Sequence, residues 1–151
     1  MSDAIHFFMT RAYDLALRAQ EQGEVPVGAV VVLDHQIIGE GWNSSIQLSD
    51  PSAHAEILAL RDAAKKIHNY RLIEADLFVT LEPCLMCASA MIHARIRRLF
   101  FGAYDLKTGA AGSRLNVFQL PWMNHTVEVT GSVMETSCVQ LLKEFFVEKR
   151  K

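Results

Sequence analysis

Two cysteines three apart, Cys84 and Cys87, follow a proline in the stretch LEPCLMCASAMIHARI, residues 81–96. At the start of a helix, side chains at i and i+3 face the same way, so both sulfurs can reach one point. A helix N-terminus also stabilises negative charge, which favours thiolates. Such a pair is either a redox couple or half of a metal site. A thioredoxin-like pair follows the first strand of a redox fold near the N-terminus, and no such unit precedes Cys84. A structural zinc site would need a second Cys-x-x-Cys, and the remaining cysteine, Cys138, is solitary. It lies on an expected helix face and reads as a small buried apolar side chain.

The missing ligand is best supplied by HAE at residues 54–56, thirty residues upstream and also at a helix start. His54 and Glu56 are two apart, so on the flank of a helix they would diverge. They share a pocket only if it lies off the helix end, where the first turn's side chains fan around the axis. Both motifs therefore demand two helices that direct their N-termini at one point. Two thiolates and an imidazole give a tetrahedral Zn2+ with one open position, and zinc brings the pKa of a water there to about 7. A hydroxide nucleophile needs a group that accepts its proton and delivers it elsewhere. Glu56 is placed for that work and is not required as a ligand.

The elements that must position these residues can be read from the apolar pattern. Phe8, Ala12, Leu15, Ala16 and Ala19 recur at helical spacing. VPVGAVVVL (25–33) reads as a buried strand, and QIIGEGWN follows the polar pair Asp34-His35, giving a hairpin. Asp50 and Ser52 are cap-type residues around a proline, so a helix is predicted from near Ala53. ADLFVTL is a third strand, CLMCASAMIHAR an apolar helix expected to be packed on both sides, and IRRLFFGA a fourth strand. A weaker strand is expected near HTVEVT. From Glu135 an amphipathic helix carries Val139, Leu142, Phe145 and Phe146 and ends in EKRK. Strands alternating with helices predict a layered α/β domain.

The 151 residues fit one domain, 1–151, without repeat or linker. Half are hydrophobic and 21% charged, which excludes a disordered chain. Fifteen basic residues against 17 acidic ones leave a net charge of −2, so a polyanion would have to be met by a local basic patch. No signal peptide or membrane span is read, and the cysteine usage suits a reducing compartment, so a cytoplasmic location is expected.

With these residues in place, the chain resembles the zinc nucleoside and base deaminases, the standing example of base-flipping chemistry, whose signature is H-x-E followed by P-C-x-x-C. Here it reads His54-Ala55-Glu56 and Pro83-Cys84-Leu85-Met86-Cys87. EVPVGAVVV, GEGWN, DPSAHAEILALR, NYRL, FGAYDLKTGAAGS and MNH narrow the resemblance to bacterial tRNA-specific adenosine deaminases, from about Glu24 to His125. DLKTGAAGS is the stretch that favours the tRNA branch. The resemblance implies a cytidine-deaminase-like three-layer α/β/α fold, with a central mixed sheet of about five strands. It implies one Zn2+ per subunit on His54, Cys84 and Cys87, with Glu56 as proton shuttle. It further implies a homodimer that binds a tRNA anticodon loop and converts its wobble adenosine to inosine. Asn43 matches a residue that hydrogen-bonds the target nucleotide, and Asp105 one that contacts the neighbouring ribose. Lys107, Arg114, Lys149, Arg150 and Lys151 are candidates for the basic approach, with Phe145 and Phe146 for stacking; a solvated helix end and core packing are the competing readings. Glu82 is expected to cap a nearby donor, and His93 to face either the partner subunit or the core. Two rivals stand: a zinc deaminase of a free base or nucleotide, and a non-catalytic zinc-containing RNA-binding domain.

Overall fold

A computed structural model describes residues 2–150. The chain order is α1 (Asp3–Glu21), β1 (Gly28–Leu33), β2 (Gln36–Trp42), α2 (Ala55–Ile67), β3 (Asp76–Leu81), α3 (Leu85–His93), β4 (Arg98–Ala103), β5 (Glu128–Thr130) and α4 (Glu135–Arg150), with a 3-10 turn at Val117–Gln119. The five strands form one mixed sheet in the order β2-β1-β3-β4-β5. β1 runs antiparallel to β2 and β3, whereas β3, β4 and β5 are parallel. The β1–β2 hairpin turns on Asp34 and His35, both left-handed at φ 50° and 61°, as a two-residue turn requires.

Strand side chains alternate between two cores, the period of two that an extended chain imposes. Ala29, Val31, Leu77, Val79, Leu99 and Phe101 pack with α2 and α3. Val30, Val32, Phe78 and Phe100 pack with Phe8, Met9, Ala12 and Leu15 of α1. α4 joins the α1 face: a Cβ on Gly102 would meet Cys138 Sγ at 2.5 Å, and Cys138 is buried. The three-layer arrangement expected from the resemblance is therefore the one observed.

Two glycines let α2 lie against β2 backbone to backbone. A Cβ at Gly39 or Gly41 would sit 2.3 Å from the carbonyl oxygen of Ala59 or Ala55. That approach carries the N-terminus of α2 to the edge of the sheet where β3 ends. α3 departs from expectation. Cys87, Ala88, Met91 and Ile92 are buried, but Leu85, Met86 and His93 are exposed, so only one of its faces is packed within the chain. Among the described residues no helix is long and apolar enough to cross a membrane.

Candidate active site

The site lies beyond the C-terminal end of β3, where the strands of an open α/β sheet present ligands. Helix α3 starts there with Cys84 as its N-cap, and α2 arrives with His54 as its own. Both N-caps are extended, and neither side chain bonds its own helix. Each is therefore free to turn to a shared point, and the two helix ends converge as the motifs demanded. Asn43 replaces His54 as the cap of α2: its Oδ1 accepts the Ala55 N–H at 2.8 Å, which leaves its Nδ2 available as a donor.

His54 Nδ1 lies 3.6 Å from Cys84 Sγ and 3.5 Å from Cys87 Sγ. All three donor atoms fall within 4.8 Å of one another. Zinc bonds of about 2.3 Å to sulfur and about 2.0 Å to nitrogen, opened at a tetrahedral angle, set S and N about 3.5 Å apart. The donor set thus fits one tetrahedral zinc ion, with Nδ1 as the ligating nitrogen. Among the described residues no fourth ligand joins this cluster, as a closed structural site would require.

The electrostatics point the same way. A hydrogen bond from Cys87, opposed by burial and helped by His54, holds the Cys84 thiol down to about 4. Cys87 is pushed far up by the bond to Cys84, by burial and by the charge of Glu56. A second thiolate beside the first calls for a multivalent cation, which deprotonates a coordinating thiol outright. His54 is raised, chiefly by its hydrogen bond with Cys84. Glu56, 4% exposed, is pushed up to about 7 by burial, with the negative charge at Cys84 adding to it.

A cavity of about 90 Å³ connects these groups, lined by Asn43, His54, Glu56, Glu82, Cys84 and Asp105, among others. The Asp105 carboxylate accepts the Lys107 and Thr108 N–H groups, each at 3.1 Å, and the Thr108 hydroxyl at 2.9 Å. Lys107 and Arg114 are exposed outside the cavity lining. On α4 the buried seam is Cys138, Leu141 and Phe145, and Lys149 Nζ stands 5.6 Å from the Phe145 ring. Phe145 is 7% exposed and offers no face for stacking, whereas Phe146 is 45% exposed. Phe146 and Arg150 line a groove with Tyr104, the neighbour of Asp105. Lys151 lies outside the described residues.

Two organising residues were not assigned from the sequence with their full role. Glu82 does cap donors, four of them, as described below. Glu24, also buried, accepts the Ile46 and Gln47 N–H groups at 3.2 and 2.8 Å and holds the loop that follows Asn43. His125 Nε2 bonds the Ile96 carbonyl at 2.6 Å, and His93 is exposed in a groove between α2 and α3.

The chain matches the family described as the cytidine and deoxycytidylate deaminase zinc-binding region over residues 2–103. It is 58% identical over 144 residues to the tRNA-specific adenosine deaminase of Haemophilus influenzae, covering 95% of this chain and 83% of that protein. The Bacillus subtilis tRNA-specific adenosine deaminase is 42% identical over 144 residues, with coverages of 95% and 89%. A solved structure from studies of A-to-I editing by tRNA:A34 deaminases superposes with a TM-score of 0.88 at 44% identity, covering 90% of this chain and 99% of that one. A guanine deaminase from Nitrosomonas europaea is more distant, with a TM-score of 0.79 at 25% identity and coverages of 94% and 84%. Matching chemistry at the helix ends and matching sequence over nearly the whole length agree. The chain belongs to the cytidine and deoxycytidylate deaminase family of zinc-dependent hydrolases, and within it to the tRNA-specific adenosine deaminases.

Proposed function

We propose that the protein hydrolyses adenosine to inosine at the wobble position of a tRNA anticodon, adenosine and water giving inosine and ammonia. The observation that carries the chemistry is the convergence of His54, Cys84 and Cys87 at zinc-ligand spacing beside a buried Glu56. Identity of 58% to a tRNA-specific adenosine deaminase supports the substrate.

Zinc held by the three side chains supplies the Lewis acidity that makes hydroxide available at neutral pH. Glu56, with its carboxyl pushed up to about 7, can both take and give a proton in neutral solution. It takes one from the attacking water and gives it to adenine N1 as C6 is attacked. It then takes the remaining proton of the new C6 hydroxyl and passes it to the amine nitrogen, which leaves as ammonia while the C6 carbonyl forms. Asn43, its orientation fixed by the Ala55 N–H, presents a donor to the nucleotide. Asp105 can accept a 2′-hydroxyl, the group that distinguishes RNA from DNA. A base must leave its stack to enter the cavity, and an anticodon loop already splays its bases. Lys107, Arg114, Lys149 and Arg150 offer the basic approach, and Phe146 an exposed ring beside Tyr104.

We assign the groove between α2 and α3 to a second copy of the chain. It is a cavity of about 350 Å³ lined by Ile57, Leu60, Ala64, Leu72, Ala90 and His93, among others, with Tyr70 66% exposed at its side. An apolar face left open on an otherwise packed helix suits burial against another protein surface.

Inosine mapping on total tRNA after incubation with the purified zinc protein tests the reading. The expected result is inosine at position 34 of a subset of tRNAs. Release of ammonia from free guanine or cytosine, with tRNA unchanged, would instead assign a free-base deaminase.

A further inference from the structure

Glu82 follows the last residue of β3 and precedes Cys84 by two positions. It is 2% exposed, and both carboxylate oxygens are occupied. Oε1 accepts the Asp105 N–H at 3.0 Å and the Ser113 hydroxyl; Oε2 accepts the Ala111 and Ser113 N–H groups, each at 3.0 Å. The adjacent Pro83 carbonyl accepts the Ala110 N–H at 2.8 Å. All five donors lie on the segment 105–113. From the other side, a Cβ on Gly109 would stand 2.4 Å from Glu82 Cδ and 2.5 Å from Oε1, so the loop backbone rests directly on the carboxylate. Asp105, at the head of this segment, lines the cavity with Glu56 and His54. The family match covers residues 2–103, a range that includes Glu82 and ends before the segment it holds.

We infer that Glu82 is a positioning residue whose carboxylate straps the 105–113 segment to the end of β3, holding Asp105 at the cavity mouth so that a ribonucleotide is preferred over a deoxyribonucleotide. The substrate in this inference rests on the tRNA reading above; the strap itself rests on geometry alone. A glutamine cannot substitute. Its amide offers one acceptor oxygen, so either orientation turns an NH2 donor against a backbone donor that cannot rotate away: the Asp105 N–H at the Oε1 position, or the Ala111 and Ser113 N–H groups at the Oε2 position. Buried groups set donor against donor displace one another, and the loop is the movable partner.

Glu82→Gln, Gly109→Ala and the double variant, each zinc-loaded, are compared with the parent chain. The readouts are zinc content, hydrogen exchange at the amides of residues 105, 111 and 113, and kcat/KM on an anticodon hairpin with ribose or deoxyribose beside the target. Both single variants should keep full zinc and exchange these three amides faster. They should lose about tenfold or more in kcat/KM on the ribose hairpin, mainly through KM, since a positioned hydrogen bond is lost. The deoxyribose hairpin should lose far less, so the preference collapses. The double variant should be no worse than the worse single, because both changes cut one strap. Gly109→Ala leaves the carboxylate intact but crowds the Asp105 carbonyl as well, at 2.5 Å. If Glu82→Gln does not fold, the deciding readout is therefore faster exchange at the amides of residues 111 and 113, which bond Glu82 itself. Retained ribose preference, loss of zinc, or unchanged exchange in the variants would each overturn the inference. A parent chain inert on both hairpins would sink the tRNA reading instead, and the exchange rates would still decide the strap.

Discussion

Burial of Glu56 beside Cys84 removes water from its carboxylate, and the rise to about 7 keeps a transferable proton near neutrality. Replacing it with alanine should leave zinc content unchanged, since Glu56 is not among the three donors, and abolish inosine formation. Glu56→Gln is the sharper variant because it keeps shape and loses only proton transfer. Its kcat should fall by roughly 10²–10⁴ or more, the usual worth of a general acid–base group, with KM little changed. Single-turnover inosine assays with parallel metal analysis separate the two effects. Retention of near-normal kcat in Glu56→Gln would remove the shuttle role. A second carboxylate with a perturbed titration, Asp76, serves stability at the opposite end of the sheet. Desolvation works to raise it, but hydrogen bonds from Arg98 and Arg97 outweigh this and hold it below its ordinary 3.8. A depressed folded value means stability that is present above the unfolded pKa and lost as pH falls through the folded one. Asp76→Asn should therefore cost about 1–2 kcal/mol at neutral pH, modest because the two arginine side chains are 45% and 38% exposed. In urea titrations the gap from the parent chain should narrow as pH falls below the ordinary 3.8 of an aspartate. A gap that stayed constant with pH would assign the loss to packing.

Helix α2 is useful only if its N-terminus stays in register with that of α3, and the flat contact at Gly39 and Gly41 sets that register. Gly41→Ala places a methyl 2.3 Å from the Ala55 carbonyl, one residue from His54. The helix must shift outward, and overpacking of this kind costs about 1–3 kcal/mol. Because His54 moves with it, zinc affinity should fall along with stability, which competition against a chromophoric chelator would read. A stability loss with unchanged zinc affinity would mean the helix end is held by Asn43 and its loop rather than by β2. Much at this scale was legible. His-x-Glu and Cys-x-x-Cys each needed a pocket off a helix end, and both helices start there. The hairpin at Asp34-His35 was equally readable because turn chemistry is local. What escaped is non-local. The donors that Glu82 satisfies lie 23 to 31 residues downstream, in a segment with little regular structure and therefore no periodicity to read. Phe145 and Phe146 illustrate a different limit: adjacent residues on a helix are about 100° apart, and a two-seam apolar pattern does not say which seam is the core. Cys138, Leu141 and Phe145 face the sheet, so the ring left for other contacts is that of Phe146.

At the scale of the molecule, the two faces of the sheet are covered unequally. α1 and α4 close one face, whereas α2 and α3 close the other and still present an apolar groove outward. The composition of α3 explains this: an apolar helix can fill the core with Cys87, Ala88, Met91 and Ile92 and yet have Leu85, Met86 and Ala90 left over. Of these only Ala90 lines the groove, three residues after Cys87 on the same short helix, so whatever covers the groove packs against the helix that carries Cys87. If a second copy covers it, assembly and catalysis are linked through α3. Ala90→Arg tests this, because Ala90 lines the groove and a long cation there would face Arg61 and His93 across apolar walls. Burying that charge unpaired is costly, so the dimer should dissociate, with sedimentation equilibrium giving the monomer mass. Zinc binding should persist, since neither the ligands nor Glu56 are touched, but inosine formation on tRNA should fall about tenfold or more as α3 loses its brace. A parent chain that sediments as a monomer at assay concentration would remove the second copy from the account, and the groove would then belong to a different partner.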